Sequence, residues 1–394
     1  MRSMIIWHSN RILMSSDIDF FSLMCYNSGM EKAWAFYDKS ELEGVTNEKK
    51  KKNLFKVIGL VLLVLIVICA LFIVGLHFYD KNSLKKEEEL IHQKGQLVEI
   101  DGKYMNIYTE GSGEKTLVFM AGANTPAVIY DFKPLYSLLN EDYKIVVIEK
   151  LGYGYSDDTD GDRSLSTMLR QDREALKKAG VEAPYILCPH STSGLEAINW
   201  AAQYPDEVEA IIGLDMAVPE QFDYQIGDFD KVKTQTYEET VAEVEFFNFW
   251  MYDMGGYRLY PITKIFPAAA SDKLTKEEQA EYKAITYHWY SQFYKTAMFR
   301  EGLATEQQVS DYKALRNTEK PNVSTLLFVS QDEATFNAML GENGLEKWKK
   351  NHENYIVGLS NGRIVYLDCG HYVHVEAPDQ ISSELRKFID DLDS

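Results

Sequence analysis

Short apolar runs and helical patterns alternate along the chain from about residue 96 onward. The apolar runs predict buried strands, and the segments between them repeat apolar residues at helical spacing. Strands separated by helices predict an α/β fold, in which helices cover both faces of a mostly parallel central sheet. The predicted strands are 96–100, 103–109, 116–120, 144–148, 185–188, 210–214, 324–329 and 363–367, and the predicted helices are 165–178, 194–204, 345–356 and 377–392.

A run of twenty residues without a charge, 57–76, precedes this pattern. As a helix it spans about 30 Å, which is the thickness of a bilayer core. A cleaved signal peptide has a shorter apolar region, nearer the terminus. We therefore expect an uncleaved transmembrane helix over residues 54–79 and a single-pass protein of the cell membrane.

Lysines cluster on the N-terminal side of this run, at 49–52 and 56. The positive-inside bias places the tail, residues 1–53, in the cytoplasm and the rest of the chain outside. The tail has no sustained period and is expected to be poorly structured, with Met30 as an alternative start. The charges of residues 80–95 predict a solvated stalk, and the globular domain is expected over 96–394.

The alternation of strands and helices stops between residues 217 and 320. Aromatic residues are 20 of these 104, compared with 13% of the whole chain. Helical patterns at 238–251 and 276–299 predict a helical insertion rather than a solvent-exposed loop. Many of its rings are expected to form its own core, and the remainder to line a cleft.

Charge and cysteine content narrow the possible partners. The net charge of −19 argues against nucleic acid as a ligand. The four cysteines show no metal-ligand spacing and no paired framework, so neither a metal site nor a disulfide scaffold is predicted. No cofactor is expected, the membrane is contacted through one helix, and a small-molecule substrate is the remaining partner. The oligomeric state is left open.

A serine lies at a predicted strand-to-helix turn in the stretch 185–194, Tyr-Ile-Leu-Cys-Pro-His-Ser-Thr-Ser-Gly. Such a turn holds Ser191 at the edge of the sheet. The following helix N-terminus offers unpaired backbone N–H groups to a developing negative charge. This is the arrangement of a nucleophile elbow.

The stretch resembles the serine-hydrolase branch of the α/β-hydrolase fold, whose usual elbow is Gly-His-Ser-x-Gly-Gly. His190, Ser191 and Gly194 match that motif, whereas Pro189 and Ser193 replace its two flanking glycines. The turn at 149–157 and the loop at 370–378 also resemble segments of this family, and the resemblance covers about residues 96–394. It implies that the insertion at 217–320 is a helical cap over the active site.

The resemblance implies a catalytic triad of Ser191, Asp332 and His371, in the chain order that this fold uses. A serine hydroxyl needs an imidazole to take its proton, and the imidazole needs a carboxylate to orient it. We prefer Asp332 to Asp215, which follows the preceding strand. We prefer His371 to His374, which lacks a preceding glycine and is expected to pack beside the site.

The family's oxyanion hole is formed by two backbone N–H groups, which here belong to Ala123 and Thr192. Ala121 stands where the family has a histidine in the first of these loops. The expected function is a membrane-anchored serine hydrolase that cleaves a small, apolar ester through an acyl-enzyme. One alternative is an aminopeptidase-like amide hydrolase, which needs an acidic residue such as Glu243 or Glu245 for the amino terminus. The other is an inactive anchored binding protein.

Overall fold

The computed structural model describes residues 48–392, so most of the predicted cytoplasmic tail lies outside the described residues. Eight strands form one sheet in the order β1-β2-β4-β3-β5-β6-β7-β8, in which β2 pairs antiparallel with β1 and β4 and all other pairings are parallel. The strands are β1 Gln96–Ile100, β2 Lys103–Glu110, β3 Thr116–Met120, β4 Lys144–Glu149, β5 Tyr185–Pro189, β6 Val208–Leu214, β7 Ser324–Ser330 and β8 Gly362–Leu367.

Helices connect the parallel strands and cover both faces of the sheet, which confirms the predicted α/β architecture. Each predicted strand is present, with ends that differ by no more than two residues from the prediction. The helices outside the β6–β7 connection are α1 Glu48–Glu88, α2 Val128–Tyr136, α3 Leu165–Lys178, α4 Ser193–Gln203, α12 Glu333–Leu340, α13 Gly344–Ile356, α14 Val373–Glu376 and α15 Pro378–Leu392, with α5 to α11 lying between β6 and β7.

Alternate residues of each strand face two separate apolar cores. In β3, Leu117 and Phe119 pack with α2 and α15, whereas Val118 and Met120 pack with α3 and α4. This is the two-residue period of a strand that is buried on both faces. The strand ends that carry polar residues therefore meet at one edge of a rigid sheet.

The connection between β6 and β7, which we call the β6–β7 insertion, contains residues 217–320. It is a set of short helical segments around one long helix, α9. Its α-helices are α5 Phe222–Gln225, α6 Tyr237–Glu243, α7 Glu245–Asn248, α8 Ile262–Ile265, α9 Lys276–Tyr290, α10 Ala297–Glu301 and α11 Glu306–Asn317. Most of its large side chains join the core on the α2 face of the sheet. The two longer helices predicted here are broken: 238–251 by a turn and a π-helical segment, and 276–299 after Tyr290.

Helix α1 is the one helix within residues 48–392 that is long and apolar enough to cross a membrane, judged by length and composition. Most of its apolar side chains between 55 and 74 are exposed. Its C-terminal part continues without a break through the beginning of the predicted stalk.

That C-terminal part packs against the β6–β7 insertion through buried charges. Asp80 is fully buried, and both Tyr257 and Arg258 donate hydrogen bonds to its Oδ1. The guanidinium of Arg258 also donates to both carboxylate oxygens of Glu87, at 2.8 and 2.7 Å. The structure thus differs from the expected solvated face, because these acidic residues hold a buried arginine.

We predict that Asp80→Asn lowers the stability of the protein by about 2 kcal/mol, because it removes the charge from a buried, charge-assisted hydrogen bond. The measurement is the thermal unfolding midpoint in detergent. Glu89→Gln is the matched control, since Glu89 is an exposed carboxylate of the same segment. Equal midpoints for the two variants would show that the buried contact contributes nothing.

Candidate active site

Ser191 occupies the turn between β5 and α4 in a left-handed backbone conformation, with φ of 54°. L-residues rarely adopt this conformation, so the surrounding structure must hold it. The Ser191 carbonyl accepts hydrogen bonds from the backbone N–H of Gly194 at 3.0 Å and of Ala217 at 2.7 Å. Both bonds fix the direction in which the chain leaves the strand and enters the helix.

Two glycines allow the elbow to pack this closely. A Cβ at Gly122 would lie 2.6 Å from the Cβ of Ser191, and a Cβ at Gly194 would lie 2.3 Å from the Ala217 carbonyl oxygen. Both distances are too short for real atoms, so these positions require glycine. The loop after β3 and the loop after β6 therefore converge on the serine.

The two departures from the family's elbow motif are accommodated. Ser193 is fully buried, and its Oγ donates to the carbonyls of Met120 at 2.7 Å and His190 at 2.8 Å. Pro189 is the last residue of β5, opposite Met120 of β3. Ser193 therefore ties the elbow to β3, and its hydroxyl is engaged elsewhere than in the cavity.

His371 follows β8 and forms its closest polar contact with Asp215, which follows β6. The distance from His371 Nδ1 to Asp215 Oδ2 is 2.6 Å. Asp215 is fully buried, and its Oδ1 accepts hydrogen bonds from the backbone N–H of Ser330 at 3.0 Å and from Trp348 Nε1 at 2.8 Å. Three hydrogen-bond partners thus hold this carboxylate in a fixed orientation.

The structure corrects the expected partner of His371, because Asp332 is used differently. Asp332 is the N-cap of α12: Oδ1 accepts from the backbone N–H of Ala334 at 3.1 Å, and Oδ2 accepts from the hydroxyl of Thr335. Both oxygens of Asp332 are thus engaged within its own helix, and among the described residues no hydrogen bond joins Asp332 to His371. Asp332 still lines the same cavity as His371.

His374 packs beside the site, as expected, and has its own acidic partner. Its Nε2 lies 2.8 Å from Asp131 Oδ2, and Tyr282 donates to the other oxygen of Asp131 at 2.9 Å. His190 lies between the two histidines, with its Nε2 3.1 Å from the backbone oxygen of His371. Burial, together with His374 and His371 nearby, holds the pKa of His190 well below its ordinary value, so His190 is neutral.

The structure brings the two expected oxyanion-hole residues into contact. The backbone N–H of Ala123 donates to Thr192 Oγ1 at 2.9 Å. Thr192 directly follows Ser191 and begins the turn into α4. The Ala123 N–H therefore points into the region beside the serine, where a hydroxyl oxygen now accepts its hydrogen bond.

A cavity of about 510 Å³, which we call the elbow cavity, lies over Ser191 and His371. The β6–β7 insertion supplies part of its wall, including the rings of Phe266, Tyr290 and Phe293. Among the described residues that line it, neither Glu243 nor Glu245 is found. Glu243 instead accepts a hydrogen bond from Gln235 at 3.0 Å.

Several residues of the site were missed from the sequence. Trp348 and Ser330 hold Asp215, yet nothing in their local patterns marks them. Asp131 lies on α2, a helix that was not predicted, and its partner His374 is 243 residues away. Among residues 48–392, no group of three or more His, Cys, Asp or Glu side chains is arranged to hold a metal ion.

Comparison with known proteins finds relatives whose length is almost entirely covered by this chain. It is 35% identical over 336 residues to the uncharacterized protein YbdG of Bacillus subtilis strain 168, covering 84% of this chain and 96% of YbdG. It is 20% identical over 312 residues to a cis-3-alkyl-4-alkyloxetan-2-one decarboxylase of Shewanella oneidensis, covering 77% and 90%. No protein-family model matches the chain.

Solved structures share the fold at low sequence identity. A protein from Burkholderia ambifaria, described as an alpha/beta hydrolase fold protein, superposes with a TM-score of 0.54 and 16% identity. The superposition covers 75% of this chain and 98% of that one. The likeness concerns the arrangement of sheet and helices.

We predict that Ser191→Gly is more stable than Ser191→Ala by about 1 kcal/mol. Both variants lack the hydroxyl, but only glycine adopts the left-handed conformation without strain. The measurement is the difference between their thermal unfolding midpoints in detergent.

The same pair of substitutions at Ser166, an exposed residue of α3, provides the control. There glycine should be the less stable of the two, since it loses more conformational freedom in a helix. If alanine is the more stable residue at both positions, the backbone at 191 is not strained.

Proposed function

Because the chain belongs to the same family as YbdG and has the α/β-hydrolase fold, we propose that it is a serine hydrolase. The observation that carries the proposal is the pairing of His371 with Asp215 beside the cavity that holds the left-handed Ser191. The fold alone does not choose the reaction, since a relative is named as a decarboxylase. The choice rests on these three side chains.

In the proposed reaction, Ser191 Oγ attacks the carbonyl carbon of an ester, and His371 Nε2 takes the serine proton. Asp215 accepts the hydrogen bond of His371 Nδ1–H, which fixes the tautomer and stabilises the imidazolium that forms. Asp215 takes the orienting role that the sequence suggested for Asp332.

The developing oxyanion accepts hydrogen bonds from the backbone N–H groups of Ala123 and Thr192. The substrate oxygen replaces Thr192 Oγ1 as the acceptor for Ala123. Imidazolium then returns the proton to the leaving alcohol, which departs and leaves an acyl group on Ser191. Water, activated by the same histidine, hydrolyses this acyl-enzyme and restores the serine.

The aromatic wall of the elbow cavity favours a small, apolar ester as substrate. Phe266, Tyr290 and Phe293 offer ring surface to an acyl or alcohol group. The alternative, an inactive binding protein, was motivated by Pro189 and Ala121. A fluorophosphonate that labels the unmutated protein, and fails to label Ser191→Ala, separates the enzyme from that alternative.

We predict that Asp215→Asn lowers ester turnover by about 10³- to 10⁴-fold, because the amide no longer stabilises the imidazolium and favours the wrong tautomer. Asp332→Asn is the matched control: it makes the same chemical change at a carboxylate that lines the elbow cavity, and it should retain most of the activity. The measurement is kcat on a chromogenic ester, with the unfolding midpoint checked for both variants.

If activity is lost in Asp332→Asn and kept in Asp215→Asn, Asp332 is the carboxylate that orients His371, and the proposed role of Asp215 is wrong. If both variants keep their activity, neither carboxylate is needed to orient the histidine. Labelling that persists in Ser191→Ala would move the nucleophile to another residue.

We also propose that α1 anchors the protein in the cell membrane, with the N-terminus in the cytoplasm and the sheet outside. The support is the long apolar helix with lysines before it.

We predict that protease added to intact cells removes the sheet-bearing domain. A domain that stays protected in intact cells, and is cut once the membrane is opened, would reverse the orientation. A full-length protein that remains in solution without detergent would exclude the anchor.

A further inference from the structure

A second cavity, of about 70 Å³, lies directly beside the elbow cavity. We call it the side cavity. Ala123, Asn124 and Phe293 line both cavities, and Thr192 lines the side cavity, so it adjoins the oxyanion-hole residues. The side cavity is therefore placed to receive a substrate group that extends past the oxyanion hole.

The wall of the side cavity is mostly apolar, with two carboxylates. Its apolar residues include Leu165, Met168, Leu195, Met298, Phe299 and Leu303. The carboxylates belong to Glu196, on the first turn of α4, and to Glu301, at the end of α10. Apolar walls with a few polar groups are typical of sites that bind small molecules.

Glu301 has partners for both of its oxygens. Arg163 donates to Oε1, and Oε2 accepts from the hydroxyl of Tyr153 at 2.7 Å and lies 3.4 Å from Lys150 Nζ. Burial raises the pKa of Glu301, but Lys150 and Arg163 outweigh that effect and lower it below the ordinary value. Glu301 is thus an ionised residue whose hydrogen bonds are used within the protein.

Glu196 is different, because one of its oxygens has no partner among the described residues. Lys150 Nζ donates to Oε1 at 2.8 Å, while Oε2 is buried without a hydrogen bond. The residue is 4% exposed. A buried carboxylate oxygen without a donor is costly, and a native structure retains one mainly where something else supplies the donor.

The carboxylate of Glu196 belongs to a buried cluster of charged groups. The cluster contains the carboxylates of Asp172, Glu196 and Glu301 and the cations Lys150 and Arg163, and burial raises the pKa of Asp172 well above its ordinary value, which favours its neutral form. Asp172 does not line the side cavity. Burial also raises the pKa of Glu196, and a positive group beside this carboxyl would favour its ionised form and satisfy its unpaired oxygen.

We propose that the side cavity is a subsite for a primary ammonium group of the substrate, bound by Glu196 Oε2. The apolar wall contacts the carbon chain that joins this ammonium to the reacting carbonyl. The inference rests on the proposed hydrolase function and modifies its apolar substrate: the apolar acyl chain of the ester or amide ends in, or carries, an amino group. Glu196 takes the role that the sequence analysis considered for Glu243 or Glu245.

A purely structural ion-pair network, filled by water, is the competing explanation. The first test uses the unmutated protein and two series of naphthyl esters of graded chain length, one with acyl chains that end in ammonium and one with chains that end in methyl. We expect kcat/KM to favour the ammonium series by about tenfold or more at the length that reaches Glu196. If the methyl series is equal or better at every length, the subsite is excluded while the hydrolase function stands.

The second test uses Glu196→Gln, which keeps the shape of the side chain and removes its charge. We expect the preference for ammonium over methyl to fall about tenfold, with kcat/KM for the methyl series nearly unchanged. Glu277→Gln, an exposed carboxylate of the β6–β7 insertion, is the control and should keep the preference.

The methyl series also reports on folding and on the proposed function. If Glu196→Gln loses activity on both series, its fold is damaged and the variant does not test the subsite. The test is then the inhibition of the unmutated protein by alkylammonium ions, compared with inhibition by alcohols of equal length. Stronger inhibition by the ammonium ions supports the subsite, and equal inhibition overturns it. If the unmutated protein cleaves neither series, the hydrolase function itself fails.

Discussion

The left-handed backbone at Ser191 is the constraint on which the site depends. Residues in this conformation are strained by about 1–3 kcal/mol and persist only where the surroundings hold them. Here close packing stabilises the conformation: the neighbouring loops lie so near the elbow that Gly122 and Gly194 have no room for a Cβ. The loops after β3, β5 and β6 are thereby fixed against one another, and each of them supplies a residue of the proposed reaction.

Asp215, which follows the neighbouring strand β6, also has a left-handed backbone conformation, with φ of 49°. That conformation turns its carboxylate toward His371, where Trp348 and Ser330 complete its hydrogen bonds. Two neighbouring strands are thus followed by strained residues: Ser191 lines the elbow cavity, and Asp215 contacts His371 beside it. The stable hydrogen bonds around them offset the strain, which is the usual pattern where function requires an unfavourable backbone.

The alternation of strands and helices was sufficient to predict the sheet. The motifs around Ser191 and His371 were sufficient to predict that these two residues lie at the same edge of it. The sequence could not choose between two aspartates that both follow strands. Asp332 is followed by a threonine and a helix, so local capping competes for its carboxylate, whereas Asp215 depends on Trp348, 133 residues away. Glu301 was not predicted for a similar reason, because only the tertiary packing of α10 brings it to Lys150, which it shares with Glu196.

The segment after the apolar run shows how burial changes the meaning of a charge pattern. Its acidic residues suggested a solvated stalk, but Asp80 and Glu87 surround the buried side chain of Arg258, which lies in the β6–β7 insertion. The same insertion forms walls of both the elbow cavity and the side cavity. A continuous helix therefore joins the apolar segment to the element that shapes the cavities. If α1 spans a membrane, the insertion cannot turn independently of the bilayer, and the approach of a substrate to Ser191 is restricted to the directions that this contact leaves open.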